Sequence, residues 1–156
     1  MKVEFLIEEG AEAPSYGSDG ASGMDIRAFR TFNEGDRFEK YGEVSVKGHG
    51  KTVFGTGVHI KHMEGCEIQV RPRSGLTSRG IIASFGTVDE DYRGEIKITL
   101  FNHSFYSILI KKGERIAQLV PMPIIRPEVK IEKYEDESHV QSTRRGDKGF
   151  GSTGQF

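Results

Sequence analysis

Apolar residues in this chain recur at every second position, in short runs, and almost nowhere at the three-to-four spacing of a helix. The clearest run, Glu95-Ile96-Lys97-Ile98-Thr99-Leu100-Phe101-Asn102, alternates apolar and polar side chains as a half-buried strand does. Similar runs cover residues 3–7, 24–29, 52–60, 67–71, 108–110 and 116–120. Turn signals separate them: residues 61–65, Gly80, Arg93-Gly94 and Lys112-Gly113-Glu114. Many short strands punctuated in this way predict an all-β fold, a single-domain jelly-roll-like β-barrel. One short helix is expected over residues 75–79, after Pro72-Arg73-Ser74. Twenty glycines and no tryptophan fit a turn-rich architecture.

The chain's 156 residues suffice for one ordinary domain. Only 35% are hydrophobic, so subunit contacts are expected to supply part of the buried surface. A net charge of −1 gives no basic field, and no nucleic-acid partner is expected. No apolar stretch approaches the roughly 20 residues that span a bilayer, so no membrane partner is expected either. The N-terminus opens directly on a strand-like alternation, so no signal peptide is expected. Cys66 is the single cysteine, which rules out an internal disulfide and points to a reducing, cytoplasmic setting. Residues 33–43 are charged, contain Gly35 and Gly42, and read as a surface loop or an extra hairpin. From Glu132 onward the chain turns polar and cannot bury a core of its own. The expected division is a catalytic core over residues 1–132 and a flexible C-terminal arm over 133–156.

Five strings carry residue types suited to chemistry. In Arg71-Pro72-Arg73-Ser74-Gly75-Leu76, the guanidinium fork matches phosphate oxygens, and a hydroxyl with backbone amides at a glycine turn completes an anion cradle. Two solvated arginines at a turn are the plainer reading of the same string. Gly86-Thr87-Val88-Asp89-Glu90-Asp91-Tyr92-Arg93-Gly94-Glu95 places Asp89 and Asp91 on one face if the segment is extended. A carboxylate beside a phosphate chain can orient and deprotonate a water; an acidic hairpin turn is the alternative. Ala21-Ser22-Gly23-Met24-Asp25-Ile26 holds one carboxylate at a strand start, where capping is the usual role. In Gly113-Glu114-Arg115-Ile116-Ala117-Gln118-Leu119, Gln118 is a polar residue amid core neighbours and needs a partner. The tail Arg145-Gly146-Asp147-Lys148-Gly149-Phe150-Gly151-Ser152-Thr153-Gly154 offers one aromatic for stacking on a base, and hydroxyls and glycine amides for phosphate. No metal cage is visible: His59 and His62 stand three apart with nothing nearby to complete a zinc set. Magnesium, held chiefly by phosphates and waters, needs little protein help.

Taken in order, these strings resemble the five motifs of the homotrimeric dUTPases, over most of the chain from Ala21 to Gly154. The resemblance implies Mg2+-dependent hydrolysis of dUTP to dUMP and pyrophosphate, by attack of water on the α-phosphorus. That reaction keeps uracil out of DNA and supplies dUMP. The resemblance gives Asp89 the attacking water and Tyr92 the face under the deoxyribose. Asp25 would meet magnesium through its water shell. Arg73, Ser74, Gly75 and Gln118 would bind phosphates. Arg145, Gly151, Ser152 and Thr153 would close on the terminal phosphates while Phe150 covers the uracil. Backbone groups around Val88 and at Ile96, Lys97 and Ile98 would read the base. In relatives, three subunits build each site and the arm closes over a neighbour's. Two positions depart from the pattern: Ala83 stands where many relatives carry an asparagine, and Lys148 where a small residue is commoner. The insertion at 33–43 is similar to that of virus-encoded members, which would place the chain in a host cytoplasm and allow a regulatory protein partner. A dCTP deaminase, or a bifunctional deaminase and pyrophosphatase, is the alternative on the same fold.

Overall fold

The structure, a computed structural model, describes residues 1–32, 42–135, 140–143 and 146. In chain order its elements are β1 (Lys2–Ile7), β2 (Ser15–Tyr16), β3 (Met24–Arg27), β4 (Arg30–Thr31), β5 (Glu43–Val46), β6 (Lys51–Glu64) and β7 (Cys66–Arg71). There follow α1 (Ser74–Thr77), β8 (Ile81–Ala83), β9 (Gly86–Val88), β10 (Glu95–Asn102), β11 (Ile108–Lys111) and β12 (Arg115–Pro123). The chain divides into two units, Met1–Ile125 and Arg126–Phe156. All the strands belong to the first. In the second, the described residues take neither strand nor helix, and Val129, Ile131 and Tyr134 are exposed. Segment 33–41 lies outside the described residues, so of the expected loop only Gly42 and Glu43 can be placed.

The strands form three ladders: β1-β6-β10-β8 with β4 added beside β6, β2-β3-β12-β7-β9, and β11-β5. This is the jelly-roll arrangement of packed antiparallel sheets; among the described residues the ladders do not join into one closed ring. Alternation decides which side chains fill the space between them. Along β10, Ile96, Ile98, Leu100 and Asn102 are buried while the residues between them are not. They meet Phe54, Val58 and Ile60 from β6, and Ile26, Ile68, Ile116 and Leu119 from the second sheet, in one core cluster. Burial of a large aliphatic side chain stabilises by about 1.5–3 kcal/mol, so this alternation is what sets the strand register.

β6 runs to Glu64, through residues whose sequence reads as a turn. Pairing with β1 overrides that signal: Lys2, Val3 and Glu4 stand opposite Glu64, Met63 and His62. Glu4 also bridges Lys61 at 3.0 Å. The turn comes one residue later, at Gly65, whose φ of +70° only glycine adopts without strain. α1 begins at Ser74 and spans a single turn, with Leu76 anchoring it in the core. Among the described residues, no helix is long and apolar enough to cross a membrane.

Candidate active site

Sheet register brings three of the five strings together. Asp25 on β3 stands opposite Gln118 on β12, and Gln118 stands opposite Arg71 on β7. Residues directly opposite in a ladder project to the same face, so the carboxylate and the amide sit side by side. Two residues beyond Arg71, the chain reaches Arg73 in an extended conformation at the start of α1. Its Nε donates to Asp25 Oδ1 at 2.8 Å, and its Nη1 donates to the Arg115 carbonyl at 3.1 Å. From the other side, Arg115 Nη1 donates to Asp25 Oδ2 at 3.0 Å. Gln118 Nε2 reaches Asp25 Oδ1 at 3.5 Å, the partner its surroundings require.

Asp25 is therefore a buried strand residue, 5% exposed, and not a turn or capping residue. An ionised carboxylate so far from water must be paired, and here each oxygen meets one guanidinium. Two cations on one anion leave a surplus positive charge. Arg73 keeps its Nη2 edge without a partner among the described residues. Ser74 and Gly75 are exposed, and a side chain on Gly75 would meet nothing within 4 Å. The loop through Gly17, Ser18 and Asp19 walls a depression alongside, with Gly17 close to Asp25 Oδ2.

The acidic string lies elsewhere. Asp89-Glu90-Asp91 is not extended: the Tyr92 amide donates to the Asp89 carbonyl at 3.0 Å and closes a turn. The alternation of Asp89 and Asp91 on one face therefore does not hold. Glu90 is anchored, accepting from the Gly65 amide at 2.7 Å, while Asp89 is exposed. Tyr92 folds back over Gly94, where a Cβ would come 2.4 Å from the phenol oxygen, and its hydroxyl donates to the Glu95 carbonyl at 2.9 Å. Its ring stays 41% exposed. The two limbs of this hairpin part company: β9 pairs with β7 and β10 with β6 and β8. Val88 and Ile96 to Ile98 thus lie on strands of different sheets, with Val88, Ile96 and Ile98 side chains in the core and Lys97 over the Phe32 ring.

Register also gives the approximate spacing of the two regions. Ile68 faces Val88 and Val70 faces Gly86, so continuing the ladder sets Asp89 level with Glu67. Arg73 lies six residues beyond Glu67 on the same extended run. At about 3.3 Å per residue that separates the two backbones by roughly 20 Å, further than the side chains reach. Arg145, Phe150, Gly151, Ser152, Thr153 and Lys148 lie outside the described residues. Sequence reasoning gives Arg115 no role; its only signal is a charged residue preceding the core pair Ile116-Ala117.

Among the described residues, no three His, Cys, Asp or Glu side chains gather as a metal cage. With a guanidinium on each oxygen, Asp25 fits a magnesium ion met through water and not one ligated directly.

An all-β scaffold carries a net-cationic cluster beside open backbone, a charge and donor arrangement suited to anions of the phosphate type. The dUTPase family model matches residues 9–154, and the chain belongs to the dUTPase family. It is 40% identical to the deoxyuridine 5'-triphosphate nucleotidohydrolase of Hydrogenobaculum sp., over 95% of this chain and 94% of that one. It is 37% identical to the same enzyme of Nautilia profundicola, over 99% of each. Among solved structures, the Staphylococcus bacteriophage 80alpha dUTPase with dUpNHpp matches with a TM-score of 0.77 at 26% identity, over 98% of each chain. A dUTPase variant from phage phi11 of S. aureus, described with a structural Mg(II) ion, matches with a TM-score of 0.70 at 23% identity, over 88% of this chain and 99% of that one.

Proposed function

We propose that this protein hydrolyses dUTP to dUMP and pyrophosphate, at sites shared between copies of the chain. The observation that supports the reading is the separation implied by strand register: the cationic cluster of Asp25, Arg73 and Gln118 lies beyond one end of β7, and the exposed Asp89 carboxylate near the other, roughly 20 Å away. One copy offers the grip and another the acid, which a homotrimer would satisfy.

In that assembly the Arg73 Nη2 edge, the Ser74 hydroxyl and amide, Gly75 and Gln118 hold the phosphate chain. Asp89 accepts a proton from the attacking water and aims it at the α-phosphorus, with pyrophosphate leaving. Tyr92, braced by its hydroxyl on Glu95, lies under the deoxyribose and leaves no room for a 2′-hydroxyl. Backbone groups around Val88 and from Ile96 to Ile98 read the uracil edge, and a base with the wrong donors would leave a buried group unpaired. Because Ala83 has no polar side chain, this recognition rests on main chain. Residues 133–156 form an arm that brings Arg145, Gly151, Ser152 and Thr153 to the phosphates and Phe150 over the base, excluding bulk water. Magnesium, when bound, neutralises triphosphate charge; Asp25 is the residue that would hold its water shell. The single buried Cys66 suits a reducing cytoplasm.

The direct test is pyrophosphate release from dUTP, dCTP, dTTP and UTP, with and without magnesium. Turnover of dUTP alone, lost on chelation, is expected. Ammonia release from dCTP would replace this reading with a deaminase.

A further inference from the structure

We propose that Arg115 is a positioning residue whose side chain fixes the phosphate-binding edge of Arg73 by holding the Asp25 carboxylate. This rests on the reading of Arg73 as a phosphate ligand. Arg115 touches both other members of the cluster: its Nη1 donates to Asp25 Oδ2 at 3.0 Å, and its carbonyl accepts from Arg73 Nη1 at 3.1 Å. Arg73 is thus tied at two points, Nε on the Asp25 carboxylate and Nη1 on the main chain at Arg115, and the first of these depends on how the Arg115 side chain holds Asp25. A guanidinium tied at two points of its plane cannot rotate, so its remaining edge is presented in one orientation. Without the Arg115 side chain, Asp25 Oδ2 loses its cation and the carboxylate can turn about its last torsion, which leaves the Arg73 guanidinium held only at Nη1 by the main chain and able to pivot about that point.

The local backbone is shaped for this contact. Ile116 and Ala117 are both fully buried, although neighbours on a regular strand face opposite ways. The β3–β12 ladder accommodates them by a register shift between Arg115 and Ala117. An irregularity of this kind re-aims the side chain beside it. Here it turns Arg115 toward Asp25, whose carboxylate it could not otherwise share with Arg73. With 46% of its side chain exposed, Arg115 is not held there by core packing.

The competing possibility is that Arg115 touches phosphate itself. Binding of inorganic tripolyphosphate, measured by calorimetry on the full-length protein, separates the two without relying on turnover. Arg115→Ala is expected to weaken binding roughly tenfold, the size of one charge-assisted hydrogen bond forfeited at second hand. In an Arg73→Ala background the same change is expected to add less than twofold, because the residue through which it acts is gone. Arg115→Lys, which keeps the charge but not the planar fork, is expected to restore only part of the loss, and it stands in if the alanine variant does not fold. Effects of Arg115→Ala and Arg73→Ala that multiply would overturn the proposal in favour of a direct contact. Unchanged binding in a folded Arg115→Ala or Arg115→Lys protein, or no tripolyphosphate binding by the wild type, would overturn it outright. Failure of dUTP turnover with binding and non-additivity intact would instead remove the hydrolase reading and leave the clamp.

Discussion

Two charge clusters in this molecule have opposite make-up. Around Asp25, one carboxylate is shared by the guanidiniums of Arg73 and Arg115. Around Arg30, one guanidinium is shared by two carboxylates: it pairs with Glu8 and with Glu95 at 2.9 Å. Glu8 also accepts from His59 Nε2 at 2.8 Å, and Glu95 from the Gly57 amide at 2.8 Å. The second cluster ties the end of β1 to β4, β6 and β10, and both of its carboxylates are held by donors from neighbouring strands. The first has donors left over. A surplus of cationic donors suits a place that receives an anion, whereas a surplus of carboxylates gripped from several strands suits a strut. The difference lies in stoichiometry, since the chemistry of the pairs is the same.

If the Asp25 cluster only grips, removing the acid that acts on the gripped substrate leaves binding intact. Asp89→Asn is therefore expected to lower kcat by about 10³-fold or more while KM changes little. Mixing Asp89→Asn chains with Arg73→Ala chains, then dissociating and reassembling them, should bring activity back, since each copy supplies what the other lacks. No recovery after verified exchange would place both halves in one chain. The strut should behave in the reverse way. Arg30→Ala leaves the Glu95 side chain, 10% exposed, without its cation and is expected to cost about 2 kcal/mol. That should lower the melting temperature by about 4–8 °C while dUTP turnover stays within about twofold of wild type. A large loss of turnover at unchanged stability would dissolve the distinction between the clusters. The smallest effect concerns acid. The hydrogen bond from Arg30, then that from His59, hold the Glu8 carboxyl down at about 2, against an ordinary 4.5. The stability it contributes is complete above about 4.5 and vanishes as pH falls through about 2. Urea midpoints of the wild type and Glu8→Gln should differ at pH 6 and converge near pH 2.

Much of the scaffold could be read from the chain. The alternation from Glu95 to Asn102 is the alternation of burial along β10, and Gln118 shows its need for a partner in the sequence. Two-residue strands such as β2 and β4 leave no periodic trace, and the far end of β6 looks like a turn because only pairing with β1 makes it a strand. Of the cluster at Asp25, Arg73 and Gln118 stand out by residue type, whereas Asp25 itself reads as a cap and gains a role only through the family resemblance. The cluster's internal order was not legible: Arg115 joins through a register irregularity, which no local pattern announces. Nor could the order of the motifs disclose that Asp89 and Arg73 stand at opposite ends of one sheet. Sequence gives motifs as a line, whereas ladder register decides which of them meet.

The span of β7 between those two residues has a consequence for supply. Under the proposed division, a lone polypeptide owns no complete reaction centre, so output tracks the number of assemblies and not the number of molecules made. Dilution would then extinguish turnover more steeply than protein content falls, before any copy unfolds. A cell expressing a damaged allele beside a sound one would retain some working centres and lose others, in proportions set by how the copies combine.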